Sequence, residues 1–255
     1  VVVGDRMGLR PCYIANASAG TVVSTDLGVL ARETGAWREP DEQYLADLLA
    51  AGIHLGTRTP YRDIRRLGMG ETATWSSNRL TVSGGWRPTA TPILGTAREH
   101  EELLRTTVQD AVAGAMPARG GAAVELSGGL DTSTVLAVAA RQAPVHALSF
   151  VHPGSPGSDE TEWIEAALQS TPAQWYPIDA TEHEIFSAGP DFGRFLAAPS
   201  RRILNWSSSE AEDAVATRLG ASTVLTGEGG DAARAGRLNG RASNLIHCIQ
   251  YLCVP

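Results

Sequence analysis

The sequence predicts an α/β protein in which a parallel sheet is covered by helices on both faces. Short apolar runs alternate with helix-like segments through residues 122–226, a pattern typical of parallel strands joined by helices. Two of these runs lead directly into glycine turns that carry acidic residues. Residues 1–88 instead show short strand-like runs around one helix, which predicts an α+β domain before the sheet.

The amino-terminal domain is predicted over residues 1–90. A helix is expected at residues 42–51. The predicted strands of this domain cover residues 12–15, 21–24, 72–76 and 80–83. Two prolines within residues 86–92 mark this stretch as the linker to a second domain, which is predicted at residues 95–255.

The second domain is predicted to open with a helix at residues 97–115, because apolar side chains recur on one side and acids crowd its start. Strands and helices then alternate: strand 122–126, helix 132–141, strand 146–150, helix 160–170, strand 174–178, helix 210–219 and strand 223–226. The serines at 207–209 are interpreted as a loop before the last helix. Glu125 departs from the pattern, because a charge in a central strand needs a partner or an open sheet face.

The most informative segment is VELSGGLDTS at residues 124–133. Its glycines let the backbone approach phosphate oxygens, and the N–H groups of a helix start attract anions. Ser127, Thr132 and Ser133 can add hydroxyl donors, and Asp131 can hold a magnesium ion between phosphates. The alternative interpretation is a strand–turn–helix corner whose glycines serve packing and whose Thr132 caps the helix. The combination of glycines, hydroxyls and an acid favours a nucleotide site.

A second segment, VLTGEGGD at residues 224–231, is again an apolar strand followed by a glycine turn with acids. Of its two carboxylates, Asp231 can ligate a metal while Glu228 handles a proton. Such a turn alone is also typical of a solvated loop. Ligands of parallel sheets bind beyond the carboxyl ends of the strands, and both motifs lie at such ends.

The two motifs resemble the synthetase domain of the asparagine synthetase family, which includes β-lactam synthetases and lasso-peptide cyclases. The resemblance implies an ATP pyrophosphatase-like fold, of the adenine nucleotide α-hydrolase type, and ATP and Mg²⁺ as cofactors. It implies nucleotide binding by Leu126, Ser127, Gly128, Gly129, Asp131, Thr132, Ser133, Val151 (through its backbone), Thr226 and Gly227. It also implies that Asp131 and Asp231 share the magnesium ion and that Glu228 is the catalytic base or orients the substrate.

The resemblance further implies AMP-forming amide-bond synthesis. ATP is cleaved between its α and β phosphates, a carboxylate is adenylated, and ammonia or an amine attacks the activated carbonyl. The sequence around Asp159 is closer to the lasso-cyclase branch, whereas Glu228 is closer to asparagine synthetase, because β-lactam synthetases have an aromatic residue there. Both alternatives stay open. A truncated, inactive nucleotide-binding module is the alternative from another class.

Residues 5–13 (DRMGLRPCY) resemble the late part of a class II glutamine amidotransferase domain, and the similarity continues to about Pro88. The nucleophile of that domain is an amino-terminal cysteine, whereas Cys12 falls where the family has an apolar residue. The family also uses a lysine downstream, yet this chain contains no lysine. Positive charge could come from Arg234, Arg237 or Arg241, but a planar guanidinium group does not have the geometry of a lysine ammonium group. We therefore expect a fragment lacking both ends, or a degenerate relative.

Composition excludes several classes of protein. The hydrophobic fraction of 43% and the charged fraction of 19% are ordinary for a folded protein, and three cysteines without regular spacing argue against a disulfide framework. No apolar run is long enough to cross a membrane, and the net charge of −7 disfavours nucleic acid. We expect a cytoplasmic enzyme that acts on a small-molecule or peptide carboxylate, with homo-oligomers or biosynthetic proteins as its partners and neither nucleic acid nor membrane among them.

Overall fold

A computed structural model describes residues 1–17, 20–51, 56–76, 79–87, 94–187, 197–199, 204–228, 230 and 251–253. The chain divides into two compact units. The first unit comprises Val1–Pro88 and Ala188–Ile203, and the second comprises Thr89–Ser187 and Leu204–Pro255. No helix in the described part of the chain has both the length and the apolar character that a membrane crossing requires.

The first unit contains antiparallel sheets and short helices among its described residues. One sheet has the order β1 (Val2–Val3), β5 (Glu71–Ser76), β6 (Arg79–Gly84), and the other has the order β3 (Gly20–Ser24), β2 (Tyr13–Ala17), β4 (Ile64–Arg66). The helices are α1 (Leu27–Thr34), α2 (Glu42–Ala51) and a 3-10 turn at Ala36–Arg38. This mixture is the α+β pattern expected from the sequence.

Helix α1 was not predicted, although its ends carry clear local signals. Asp26 caps the start, because its side chain accepts the N–H of Val29 at 2.8 Å. Gly35 ends the helix in the left-handed conformation, with φ of 73°. The eight residues between them span little more than two turns, too short for a periodic pattern to stand out.

The second unit is built on a sheet with the strand order β11–β10–β7–β8–β9. The strands are β7 (Gly121–Glu125), β8 (Val145–Val151), β9 (Gln174–Asp179), β10 (Ala221–Leu225) and β11 (Tyr251–Cys253). The four predicted strands run parallel, and β11, which was not predicted, pairs antiparallel with β10 at the edge. The predicted α/β fold class is therefore confirmed.

Helices cover both faces of this sheet. They are α3 (Ala97–Ala115), α4 (Leu130–Ala139), α5 (Thr161–Ser170) and α6 (Trp206–Arg218). Alternate residues of β7 divide between the faces, as the strand pleat requires: Val124 packs with residues of α3, α4 and α5, whereas Ala123 packs with Ala216 of α6.

Two helix starts differ from the sequence prediction. Helix α4 begins at Leu130, two residues early, because Gly129 already has the extended backbone of an N-cap. Helix α6 begins at Trp206, so the serines at 207–209 lie in the helix, and their interpretation as a loop was wrong. Serine is a poor helix former in a helix interior, but its short polar side chain suits the first turn.

Candidate active site

The first glycine loop (residues 126–129) leads from the carboxyl end of β7 into α4. Gly128 has a φ of 78°, in the left-handed region. A Cβ on Gly128 would lie 2.7 Å from the Cβ of Trp163 and 2.9 Å from the backbone nitrogen of Ile164. Both the backbone conformation and the close packing against the start of α5 therefore require glycine at this position.

Two hydroxyl groups hold the first glycine loop against the first turn of α4. The Ser127 N–H donates to Thr132 Oγ1 at 3.2 Å, and the two hydroxyl oxygens lie 3.1 Å apart. The Thr132 hydroxyl also donates to the carbonyl oxygen of Gly129 at 3.3 Å. Gly129 caps the helix without any side-chain hydrogen bond, so no side chain from the cap competes with an anion for the first N–H groups.

The second glycine loop (residues 226–230) follows β10, the parallel neighbour of β7 in which Leu225 pairs with Val124. Thr226 is buried, and its Oγ1 accepts the N–H of Glu228 at 3.4 Å. The Gly230 N–H donates to the carbonyl oxygen of Gly227 at 3.1 Å, which closes a tight turn. This turn keeps the second loop at the carboxyl edge of the sheet.

The two glycine loops are in direct contact. A Cβ on Gly227 would lie 2.7 Å from the backbone nitrogen of Thr132 and 3.0 Å from the carbonyl carbon of Asp131. A Cβ on Gly230 would overlap the carboxylate of Asp131. Each glycine therefore leaves room for the start of α4, and the two predicted motifs form one site.

Comparison with known proteins assigns this arrangement to a family. Residues 103–248, more than half of the chain, match the family model described as asparagine synthase. The chain belongs to the asparagine synthase family. Family membership implies the use of ATP and places the chain among nucleotide-utilising ligases. The match begins at residue 103, so the amidotransferase resemblance of the first 88 residues remains a prediction.

Solved structures are also similar to this asparagine synthase family member. One of them is NMN synthetase from Francisella tularensis, with 18% sequence identity and a TM-score of 0.31. The similarity covers 51% of this chain and 53% of NMN synthetase, so the chain spans about half the length of that protein. No curated protein matches the chain.

Most of the predicted nucleotide-binding residues lie at one edge of the sheet in this asparagine synthase fold. Leu126 is buried after β7 and donates its N–H to the carbonyl oxygen of Leu148 at 2.7 Å. Val151 ends β8, the next strand, where it pairs with Asp179 of β9. Asp131, Thr132 and Ser133 occupy the first turn of α4. Their individual roles in binding ATP remain predictions.

Asp231, the second predicted magnesium ligand, lies outside the described residues, as do Arg234, Arg237 and Arg241. The residue before Asp231 is Gly230, whose backbone approaches the Asp131 carboxylate so closely that a side chain would not fit. A Mg²⁺ ion shared by Asp131 and Asp231 stays a prediction, made because carboxylate oxygens are the ligands that Mg²⁺ prefers. Among the described residues, no group of three or more metal-binding side chains is arranged to hold a metal ion.

Glu228 of the second glycine loop, Glu125 of β7 and Glu212 of α6 are neighbouring carboxylates, each acting on the next. Burial raises the pKa of Glu125, and the charge of nearby Glu228 raises it further. Burial, followed by the charges of Glu125 and Asp213, raises the pKa of Glu212 to about 8. Glu228, the predicted proton acceptor, therefore neighbours Glu125, which in turn neighbours Glu212, and the pKa values of Glu125 and Glu212 are both raised.

Glu125 stands out in the sequence as a charge in a central strand, whereas no sequence pattern singles out Glu212. The strand pleat places Glu125 on the same face of the sheet as Ala123, beneath α6. Glu212 precedes Ala216 by four residues and so shares its sheet-facing side of α6. Glu212 lies within the predicted helix 210–219, but a glutamate on a helix is ordinarily exposed, and only the packing of α6 on the sheet shows that its Oε1 atom is buried.

Proposed function

We propose that the chain is an ATP-dependent, AMP-forming carbon–nitrogen ligase of the asparagine synthetase type. It adenylates a carboxylate and joins the activated carbonyl to ammonia or an amine. Family membership supports ATP use, and the finer assignment rests on the residues of the site. We propose a cytoplasmic location, because the reaction consumes ATP.

One observation carries this proposal: the contact between the two glycine loops at the carboxyl edge of the parallel sheet. Gly227 and Gly230 abut Thr132 and Asp131, so an anion-binding helix start and a loop with carboxylates meet at one point. A strand–turn–helix corner built only for packing needs the first loop, but it does not need a second acidic loop against it. The combination suits a phosphate-bearing ligand with a metal ion.

The first chemical step requires positioning and charge neutralisation. The N–H groups at the start of α4 and the hydroxyls of Ser127, Thr132 and Ser133 bind the pyrophosphate of ATP. Asp131 and Asp231 would hold Mg²⁺, which neutralises phosphate charge when bound. Leu126, Thr226, Gly227 and the Val151 backbone complete the nucleotide pocket. The substrate carboxylate attacks the α-phosphate, and pyrophosphate leaves.

The second step forms the amide. The nitrogen lone pair attacks the carbonyl carbon, the bond from that carbon to the AMP oxygen breaks, and one proton leaves the nitrogen. Glu228 is exposed in the second glycine loop and accepts this proton. L-Aspartate and ammonia are the proposed substrates; a peptide carboxylate or a β-amino acid would identify a lasso-cyclase or β-lactam synthetase relative.

A calorimetric titration of the full chain with Mg·ATP tests the proposal. We expect saturable binding in the parent and binding at least about tenfold weaker in Asp131→Asn, because a charged ligand for the metal is lost. Asp110→Asn is the matched control, since Asp110 is exposed on α3, far along the chain from the loops. Pyrophosphate release with L-aspartate and ammonium then tests the reaction.

The two measurements separate the candidate functions. Binding together with pyrophosphate release supports an active ligase, and the carboxylate that elicits release identifies the branch. Binding without release from any carboxylate favours an inactive nucleotide-binding module. No binding in a folded sample would sink the ligase proposal.

A further inference from the structure

Glu125 and Glu212 meet between the sheet and α6, at the carboxyl edge. Helix α6 ends at Arg218, and β10 begins at Ala221, so α6 runs opposite to the strand that it packs on. Glu212 therefore lies nearer the carboxyl edge than Ala216, by one helical turn. Glu125 lies nearer the same edge than Ala123, by two residues, on the same face.

The sheet-facing side of α6 changes from apolar to acidic at this point. An apolar cluster packs against the sheet and includes Val215, Ala216 and Leu219, whereas Glu212 occupies the same side of the helix one turn earlier. The Oε1 atom of Glu212 is buried and has no hydrogen-bond partner among the described residues. An unpaired buried carboxylate is costly, so the group favours its neutral form.

The third carboxylate connects this pair with the site. Leu225 at the end of β10 pairs with Val124, and Glu228 follows Leu225 by three residues, where its charge acts on Glu125 at the end of β7. Glu228 is exposed, whereas Glu125 and Glu212 are both partly buried, and the Oε1 atom of Glu212 is fully buried. The carboxylates thus form a series that runs from the surface of the site into the protein.

We propose that the pair formed by Glu125 and Glu212 receives, through Glu228, the proton that the attacking amine loses. Ammonium loses this proton before its nitrogen attacks; the proton passes to Glu228 and then to Glu125, because Glu212 already holds a proton of its own. Glu228 regains its charge, and the proton later returns to solvent by the same route. The pair acts through Glu228 and does not contact the substrate. This inference rests on the proposed ligase function.

The charged groups around the pair suit this role. Glu212 is neutral at neutral pH, because burial, Glu125 and Asp213 raise its pKa to about 8. Burial and then the charge of Glu228 raise the pKa of Glu125, and Glu125 in turn contributes to the raised pKa of Glu212. Two neighbouring carboxyl groups of this kind hold one proton between them, because two adjacent carboxylates would repel each other. The group that remains ionised can still accept a proton.

The test compares two amines in the full chain with Mg·ATP and L-aspartate. Ammonium must lose a proton before it can attack, whereas hydroxylamine is already largely neutral at neutral pH. In Glu125→Gln and in Glu212→Gln we expect the rate of amide formation with ammonium to fall by about 100-fold, which is the contribution of a positioned proton acceptor. The rate of the reaction with hydroxylamine and the rate of pyrophosphate release should change by less than about threefold.

Three further readouts keep the outcome unambiguous. Glu210→Gln, an exposed change on the same helix, should leave both amines unaffected. The pH dependence of the ammonium reaction should lose one inflection in Glu212→Gln. The infrared absorption of a protonated carboxylic acid at neutral pH should be present in the parent and reduced in Glu212→Gln.

The proposal and the proposed function fail in different ways. Equal loss with both amines, or an unchanged infrared signal in Glu212→Gln, overturns the proton-accepting pair while the ligase function stands. A parent chain that forms no pyrophosphate with any carboxylate overturns the proposed function and the inference with it.

Discussion

At the scale of single residues, the glycines of the site make close protein contacts. The sequence allowed two explanations for them, the approach of backbone to phosphate and tight packing. In the structure Gly128 abuts the start of α5, and Gly227 abuts the start of α4. Packing therefore requires these glycines, and the approach of phosphate to the same backbone stays a prediction.

Gly227→Ala should weaken Mg·ATP binding. The new Cβ would lie 2.7 Å from the backbone nitrogen of Thr132, so the second glycine loop must move away from α4. We expect binding about tenfold weaker, measured by calorimetric titration, because a small displacement disrupts a preorganised site.

Gly157→Ala is the matched control for this change. Gly157 lies in the loop after β8 without a left-handed backbone, and a Cβ there meets no atom within 4 Å. Binding should equal that of the parent. Equal affinity in Gly227→Ala would contradict the contact between the loops as a requirement for binding.

At the scale of elements, local signals predicted the second unit better than the first. The boundaries of β7, β8, β9 and α5 agree with the predictions to within one residue, because apolar runs bounded by turn residues mark buried strands and their helices. Helix α1 was missed because it spans little more than two turns. The short strands β1 and β4 were missed because two or three residues do not form a pattern, and these strands depend on pairing with distant strands.

Helix α3 carries its own start signal, a capping box. Thr96 Oγ1 accepts the N–H of Glu99 at 3.3 Å, and Glu99 Oε2 accepts the N–H of Thr96 at 2.7 Å. Thr96→Ala removes the hydroxyl acceptor and should lower the free energy of unfolding by about 1 kcal/mol. Urea unfolding at neutral pH measures the change.

Thr106→Ala serves as the control on the same helix. Thr106 is exposed in the helix interior, where alanine is the better helix former, so this change should raise stability by a few tenths of a kcal/mol at most. Equal effects of the two substitutions would show that the capping box adds nothing to the stability of α3.

At the scale of the whole molecule, the buried carboxyl of Glu212 links stability to pH. Its pKa rises from an ordinary 4.5 to about 8 in the folded state, so the folded chain binds this proton more tightly than the unfolded chain. The stabilisation is fully present below pH 4.5 and is lost as the pH rises through about 8. Each pKa unit corresponds to about 1.4 kcal/mol.

Glu212→Gln should therefore flatten the decline of stability between acidic and alkaline pH. The variant should be more stable than the parent at alkaline pH, because an amide never acquires the buried charge. Urea unfolding midpoints across this pH range measure the effect, with Glu210→Gln as the exposed control. Parallel profiles for Glu212→Gln and the parent would contradict the raised pKa.

The sequence by itself determined the order of strands and helices in the second unit, the two glycine loops and their family. These features are local, since a strand, its turn and the following helix start lie within about ten residues. The tertiary structure alone decided that Gly230 meets Asp131 and that Glu212 lies over Glu125. Those partners are far apart in the chain, and strand register and helix orientation bring them together only when the sheet has formed.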